Sequence, residues 1–200
     1  MKMEELEYTK DILKELKLKN KYAVDDINNV YDIITVGNDI LRSKNDDVDI
    51  SQKEVQKLII NMVNSLYYWN GCGIAAPQVG KNLNIFIVKI VMTDENEKED
   101  VVLPLTVFVN PKILEYSKDT NIEYEGCLSI SNYSAKVERS NSIKIEYQDI
   151  HGEKHVDIFE GFAARAVQHE YDHLQGIVYT DIADMKTFTL NDNLDLECKE

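Results

Sequence analysis

Apolar and polar positions fall into separable patterns along the chain. Residues 3–17 carry Leu6, Ile12, Leu13 and Leu16 among Glu and Lys, which predicts a short amphipathic helix on the outside of the domain. Residues 18–50 are polar and mixed, anchored by Ile33, Ile34, Ile40 and Leu41 around a Gly37-Asn38-Asp39 turn, and predict irregular structure. Ser51 and Glu54 have the spacing of a reciprocal helix cap, and Val55, Leu58, Ile59, Met62, Val63 and Leu66 follow at helical spacing. Asn70-Gly71 supplies a residue that tolerates positive φ and so ends that helix. The unbroken run Ile85-Phe86-Ile87-Val88 reads as a buried strand, Thr93 to Asp100 as a charged loop and Val107 to Val109 as another strand. From Ile143 the pattern alternates through Ile145 and Tyr147, turns at Asp149-Ile150-His151-Gly152 and resumes through Val156, Ile158 and Phe159, which predicts a hairpin. A last helix is predicted from about Gly161 to just before Gly176. Its first half, with Phe162, Ala163, Ala166 and Val167, is apolar nearly all round, as a central buried helix requires. Beyond Asp184 the chain is polar and acidic, and a loosely held tail is expected.

The last helix carries the chemistry. It places His169 and His173 four positions apart with Glu170 beside the first. Positions i and i+4 share one helix face, so two imidazoles can close on a single cation while the carboxylate reaches water bound to it. Two further segments are distinctive. Residues 71–78, GCGIAAPQ, are a run of small residues that lets the backbone pass close to something, with Gln78 offering an amide donor. Residues 125–129, EGCLS, hold Cys127 in a tight Gly-containing context, although a cysteine taken alone is most often a small buried hydrophobe. His151 and His155 lie on the hairpin and are expected to be exposed, not ligands.

Length and charge narrow the possibilities. The 200 residues suffice for one domain, read as 1–200. Acidic residues outnumber basic ones by 36 to 22, a formal net charge of -14, which argues against nucleic acid as a direct ligand, because phosphate binding needs clustered Lys and Arg. Cys72, Cys127 and Cys198 are odd in number and far apart, so reduced thiols or metal ligation in a reducing compartment are expected, not a disulfide framework. No stretch approaches the ~20 apolar residues of a membrane span, and the N-terminus has neither an apolar signal core nor an Arg-rich transit pattern. A cytoplasmic protein with no membrane contact is the expectation.

Together, GCGIAAPQ at 71–78, EGCLS at 125–129 and QHEYDHLQG at 168–176 resemble the three signature motifs of the peptide deformylases, in the family's order and at similar spacing. Ile33 to Arg42, FVNPKI at 108–113 and Ala163 to Ala166 match as supporting stretches. The resemblance spans about 33–182, leaving an N-terminal extension, 1–32, and an acidic tail, 185–200. It implies an α+β fold, with antiparallel β-sheets packed around a central helix that carries HExxH. It further implies one divalent metal ion per chain, held by Cys127, His169 and His173 with water in the fourth position. Ferrous iron is usual in the family, while zinc, nickel or cobalt can occupy the same N and S donors. The implied reaction removes the formyl group from N-formylmethionyl peptides and nascent chains, releasing formate. Glu170 would be the base, and the Gln78 amide and the Leu128 N–H would stabilise charge on the formyl oxygen. Gly71, Cys72, Gly73, Ile74 and Gly126 would line the substrate cleft, and Ile130, Phe162 and Ala166 the methionine pocket. Glu125 is expected to orient a ligand, and Arg139 to pair with Asp172. Ribosome proximity follows from the substrate alone, since Leu190 to Glu200 does not resemble the basic helix by which some bacterial members dock.

The chain also departs from the family pattern. Ser131 stands where Pro is common, Ser134 where many bacterial members carry a basic residue, and Cys72 where an aliphatic residue is usual. A second thiol in the cleft would make activity sensitive to peroxide. Two rival readings are an HExxH metallopeptidase, which normally takes a third His or Glu ligand, and a non-catalytic peptide-binding protein keeping the fold. Against the second, every residue assigned a chemical step is present.

Overall fold

The computed structural model describes residues 29–93 and 99–197. After a 3-10 turn at Asp39–Arg42 come helix α1 (Lys53–Tyr68), strand β1 (Gly73–Ala75), a second 3-10 turn (Ala76–Val79) and strands β2 (Ile85–Thr93) and β3 (Glu99–Tyr116). Strands β4 (Thr120–Cys127), β5 (Ile130–Ser140), β6 (Ser142–Gln148) and β7 (Lys154–Glu160) follow, then helix α2 (Gly161–Leu174), a 3-10 turn (Tyr179–Asp181), strand β8 (Asp184–Leu190) and helix α3 (Asn191–Glu197). The strands form a five-stranded sheet, β1-β2-β3-β6-β7, and a three-stranded sheet, β4-β5-β8, with antiparallel neighbours throughout.

The Ile85–Val88 run is continuous because both faces of β2 are covered. Alternate side chains on a strand point to opposite faces. Ile85 and Ile87, with Val107 and Val109, pack under α1, whereas Phe86, Val88 and Phe108 pack against α2. Opposed pairs Ile85↔Val109, Phe86↔Phe108 and Ile87↔Val107 fix the register, because a one-residue slip would exchange the two helix-facing sets. Phe86 stacks on Phe108 at 4.5 Å. Helix α2 touches β1, β2 and β7 of the large sheet and β5 of the small one, so it is the central helix. Ala163, Ala164, Ala166 and Val167 are small enough to let both sheets close on it.

Both principal helices end in the same device. The Gly71 N–H bonds Leu66 O at 3.0 Å and the Asn70 N–H bonds Tyr67 O at 3.1 Å, with Asn70 at φ 52. At the end of α2, Ile177 N–H reaches Asp172 O at 2.9 Å and Gly176 N–H reaches His173 O at 3.2 Å, with Gly176 at φ 72. The strap at residues 39–45 closes over this second end. Arg42 pairs with Asp181 and donates to Gly176 O, and Asn45 Nδ2 donates to Leu174 O at 2.8 Å.

Four expectations change. The helix at 51–66 begins at Lys53 with Gln52 as its cap and no side-chain bond, because Asp49 Oδ1 takes the Ser51 N–H at 2.9 Å and starts the turn earlier. The strand expected at 107–109 extends over Glu99–Tyr116. His155 is only half exposed, bonded to Asp149 at 3.0 Å and stacked on Tyr147, whereas His151 is exposed as expected. The region from Asp184 is a strand up to Leu190, not a loose tail: Phe188 stacks on Tyr133 at 4.9 Å, and the Lys136 N–H donates to Thr187 Oγ1 at 2.8 Å. The amphipathic stretch at 3–17, Cys198 and most of the charged loop after Thr93 lie outside the described residues.

Gly176 has a positive φ, and a Cβ there would stand 3.0 Å from Arg42 O, a backbone atom. Gly176→Ala should therefore lower unfolding free energy by about 1–3 kcal/mol. Urea denaturation measures it, and an unchanged midpoint would count against the strap's close approach.

Candidate metal centre

Three elements converge at one end of α2. Strand β4 ends with Glu125, Gly126 and Cys127, and the Leu128-Ser129 turn leads into β5. The face of α2 carrying His169, Glu170 and His173 meets that turn, with the Gly73–Val79 segment beside it. One donor atom each from Cys127, His169 and His173 lies within 4.8 Å of the others. His173 Nε2 is 3.3 Å from Cys127 Sγ, and the two imidazoles stand at 78° with centroids 5.2 Å apart. His169 Nδ1 lies 2.9 Å from Glu125 Oε2, an acceptor, so Nδ1 donates there and Nε2 is the ring nitrogen left to face Cys127. Burial opposes ionisation of Cys127, but the charge of His173 and hydrogen bonds with both imidazoles hold its thiol well below the usual range. A thiolate and two imidazoles directed at one spot form a fitting donor set for a borderline-soft divalent cation.

Two more groups are aimed at the same place. Gln78 is fully enclosed: its Oε1 accepts from Ala75 N–H at 2.8 Å, which leaves Nε2 pointing at Cys127 Sγ (3.4 Å) and Ser129 Oγ (3.2 Å). Glu170 is 4% exposed and its Oε2 has no partner among protein atoms. Burial, with smaller contributions from Cys127 and Glu125, raises its carboxyl to about 7 against the opposing charges of the two imidazoles. Gly73 makes room for it, since a Cβ there would lie 2.3 Å from Glu170 Oε1.

A cleft of about 470 Å³ opens onto these groups. Gly71, Cys72, Gly73, Gly126, Leu128, Phe162 and Ala166 border it, as do Gln78, Cys127, His169 and Glu170. Ile74 and Ile130 do not belong to its wall. The side chain of Ile74 alternates away from Gly73 and Ala75 into the core under α1, and Ile130 packs beside Ala135, Val137 and Tyr179 in the small sheet's core. The surrounding protein, and then the Glu170 carboxylate, push the Cys72 thiol up. Cys72 is nonetheless exposed at this wall of the cleft.

Behind His169 sits a buried ion cluster. Glu125 accepts from Arg139 Nε at 2.9 Å and Nη2 at 3.0 Å and from Arg165 Nη1 at 2.6 Å, and Arg139 Nη1 reaches Asp172 at 2.5 Å. Burial alone would raise the Glu125 carboxyl, but the bonds from His169 and Arg139 hold it well below the usual carboxylate range. Arg165 was not foreseen from the sequence, although a signal existed: an Arg within an otherwise apolar helix half needs a buried anion. Tyr179, stacked on His169 with its hydroxyl donating to Tyr133 O at 3.0 Å, left no such signal.

Comparison with known proteins supplies an independent line. A family model described as polypeptide deformylase matches residues 30–188. The peptide deformylase of Christiangramia forsetii is 39% identical over 155 residues, covering 74% of this chain and 79% of that protein. That of Thermotoga maritima is 36% identical over 152 residues, covering 76% and 86%. Among solved structures, the class I type b peptide deformylase of Acinetobacter baumannii bound to Met-Ala-Ser superposes with a TM-score of 0.70 at 34% identity, covering 76% of this chain and 98% of that one.

Removing Arg139 takes the partner from the partly exposed Asp172 and two of the three guanidinium bonds from the buried Glu125. Arg139→Ala should cost about 3–5 kcal/mol of stability and loosen metal retention through His169. Denaturant midpoints and metal content on the same preparation test this, and a variant equal to wild type in both would refute the clamp.

Proposed function

Because this chain belongs to the polypeptide deformylase family, metal-dependent hydrolases that remove the N-formyl group from nascent polypeptides, we propose how its residues divide that work. Cys127, His169 and His173 would hold one divalent ion, ferrous iron in the cell, with zinc, nickel or cobalt able to take the same donors. When bound, the cation acidifies water and polarises the carbonyl. Glu170 accepts the proton of the attacking water and later delivers it to the leaving amine, one carboxylate serving both steps. Gln78 Nε2 and the Leu128 N–H donate to the formyl oxygen as charge gathers there. The Ala75 bond pre-sets the Gln78 amide, so little reorganisation is needed at the moment of reaction. Phe162 and Ala166 receive the methionine side chain. Gly71, Gly73 and Gly126 border the cleft, and the bare Gly73 leaves the space that Glu170 occupies.

The observation that carries this reading is the buried, unpartnered Glu170 oxygen in a cleft that Cys127 and His169 also border, with the third convergent donor, His173, behind them. Met-Ala-Ser, bound in the Acinetobacter structure, is what deformylation of formyl-Met-Ala-Ser leaves. An endopeptidase would instead cleave internal bonds, and a binding protein would release nothing. Among the described residues no helix is long and apolar enough to cross a membrane. We place the enzyme in the cytoplasm, where nascent chains carry the formyl group, with proximity to the ribosome following from the substrate.

Anaerobically purified protein should release formate from formyl-Met-Ala-Ser and contain iron. Glu170→Ala should keep the metal and release none. Gln78→Ala should lower kcat on the order of 10²–10³-fold, and Gly73→Ala, by displacing Glu170, on the order of 10²-fold. Formate from a metal-loaded Glu170→Ala variant at the wild-type rate would remove Glu170 from the mechanism.

A further inference from the structure

The mouth of the cleft carries an aromatic side chain, Trp69, that none of the steps above uses. Trp69, the chain's single tryptophan, caps the C-terminus of α1 and borders the same cavity as Cys127 and Glu170. It is held from behind: its indole N–H donates to Tyr31 O at 2.9 Å, and the ring of Tyr68 meets it edge-on, centroids 5.1 Å apart at 85°. The helix-ending bonds at Asn70 and Gly71 hold its backbone as well. Yet Trp69 is 40% exposed. A large ring held in place and partly open beside a binding cleft is the arrangement that gives contact area at little entropic cost on binding.

The rest of the mouth is apolar or neutral. Phe162, 45% exposed, and Tyr124 border the cavity from α2 and β4, with Ser131, Asn132 and Asn191 completing the rim. Among the described residues lining the cavity the only Lys or Arg is Arg165, which is buried and paired with Glu125. A volume of about 470 Å³ lies in the range that encloses whole ligands, so room remains beside formylmethionine for the side chain that follows it.

Building on the deformylase reading, we propose that Trp69 is a specificity-determining residue that stacks against the residue after formylmethionine and favours an aromatic side chain there. Metal-loaded wild type should turn over formyl-Met-Phe-Ser with a kcat/KM about 3–10-fold above that for formyl-Met-Ala-Ser, the scale of one aromatic pair. Trp69→Ala should bring that ratio close to one, and Trp69→Phe should keep most of it. A merely structural role would lower both substrates alike and leave the ratio unchanged. The emission of the sole tryptophan gives a second readout: the product Met-Phe-Ser should shift it more than Met-Ala-Ser does. Equal wild-type turnover of both substrates, or a ratio that survives Trp69→Ala, would overturn the proposal. Formate from neither substrate would overturn the deformylase reading and this proposal with it.

Discussion

The structure depends on one buried carboxylate. Glu125 sits at the end of β4 and gathers Arg139 from β5 and Arg165 and His169 from α2, while Arg139 also holds Asp172. Two guanidiniums and two carboxylates balance within the cluster, which is what makes their removal from water tolerable. Taking out any single member leaves an uncompensated charge inside the protein. The same cluster joins the small sheet to the central helix and orients the His169 ring through its Nδ1. Assembly of the domain and orientation of that imidazole are therefore one event.

Around that point the two sheets have different tasks. The large sheet lies between α1 and α2, and its alternating side chains give each helix its own core. That makes α2 a fixed rod carrying two imidazoles and a carboxylate. The small sheet contributes the turn with Cys127, and backbone bonds from residues 34–36 tie this turn and the glycine-rich segment together: Ile34 N–H to Gln78 O at 2.8 Å and Val36 N–H to Ser129 O at 2.9 Å. Groups from distant parts of the chain thus meet without a long flexible loop.

Glu170 and Glu125 are two residues of one site with opposite fates. Both are buried, but Glu125 is surrounded by donors and stays ionised, while Glu170 is left with an unpartnered oxygen and a raised carboxyl. Hydrogen bonding to the charged form, not depth, separates a positioning anion from a group suited to carry protons.

The sequence by itself determined the local and repetitive features. The span of α2, the hairpin of β6 and β7, the turn out of α1 and the three motif segments all follow from periodicity, turn residues and short-range spacing, which act within a few residues. Where two local signals competed, proximity decided: Asp49 captured the Ser51 N–H and displaced the cap expected at Ser51. Only the tertiary structure decided which long-range partners met. The Arg165–Glu125 pair, Tyr179 on His169, the strand at 184–190 and the exclusion of Ile74 and Ile130 from the cleft depend on sheet pairing and on which face of a strand turns inward. Such pairings are fixed by burial of the whole molecule at once, and the residues involved look the same in sequence whichever way they face.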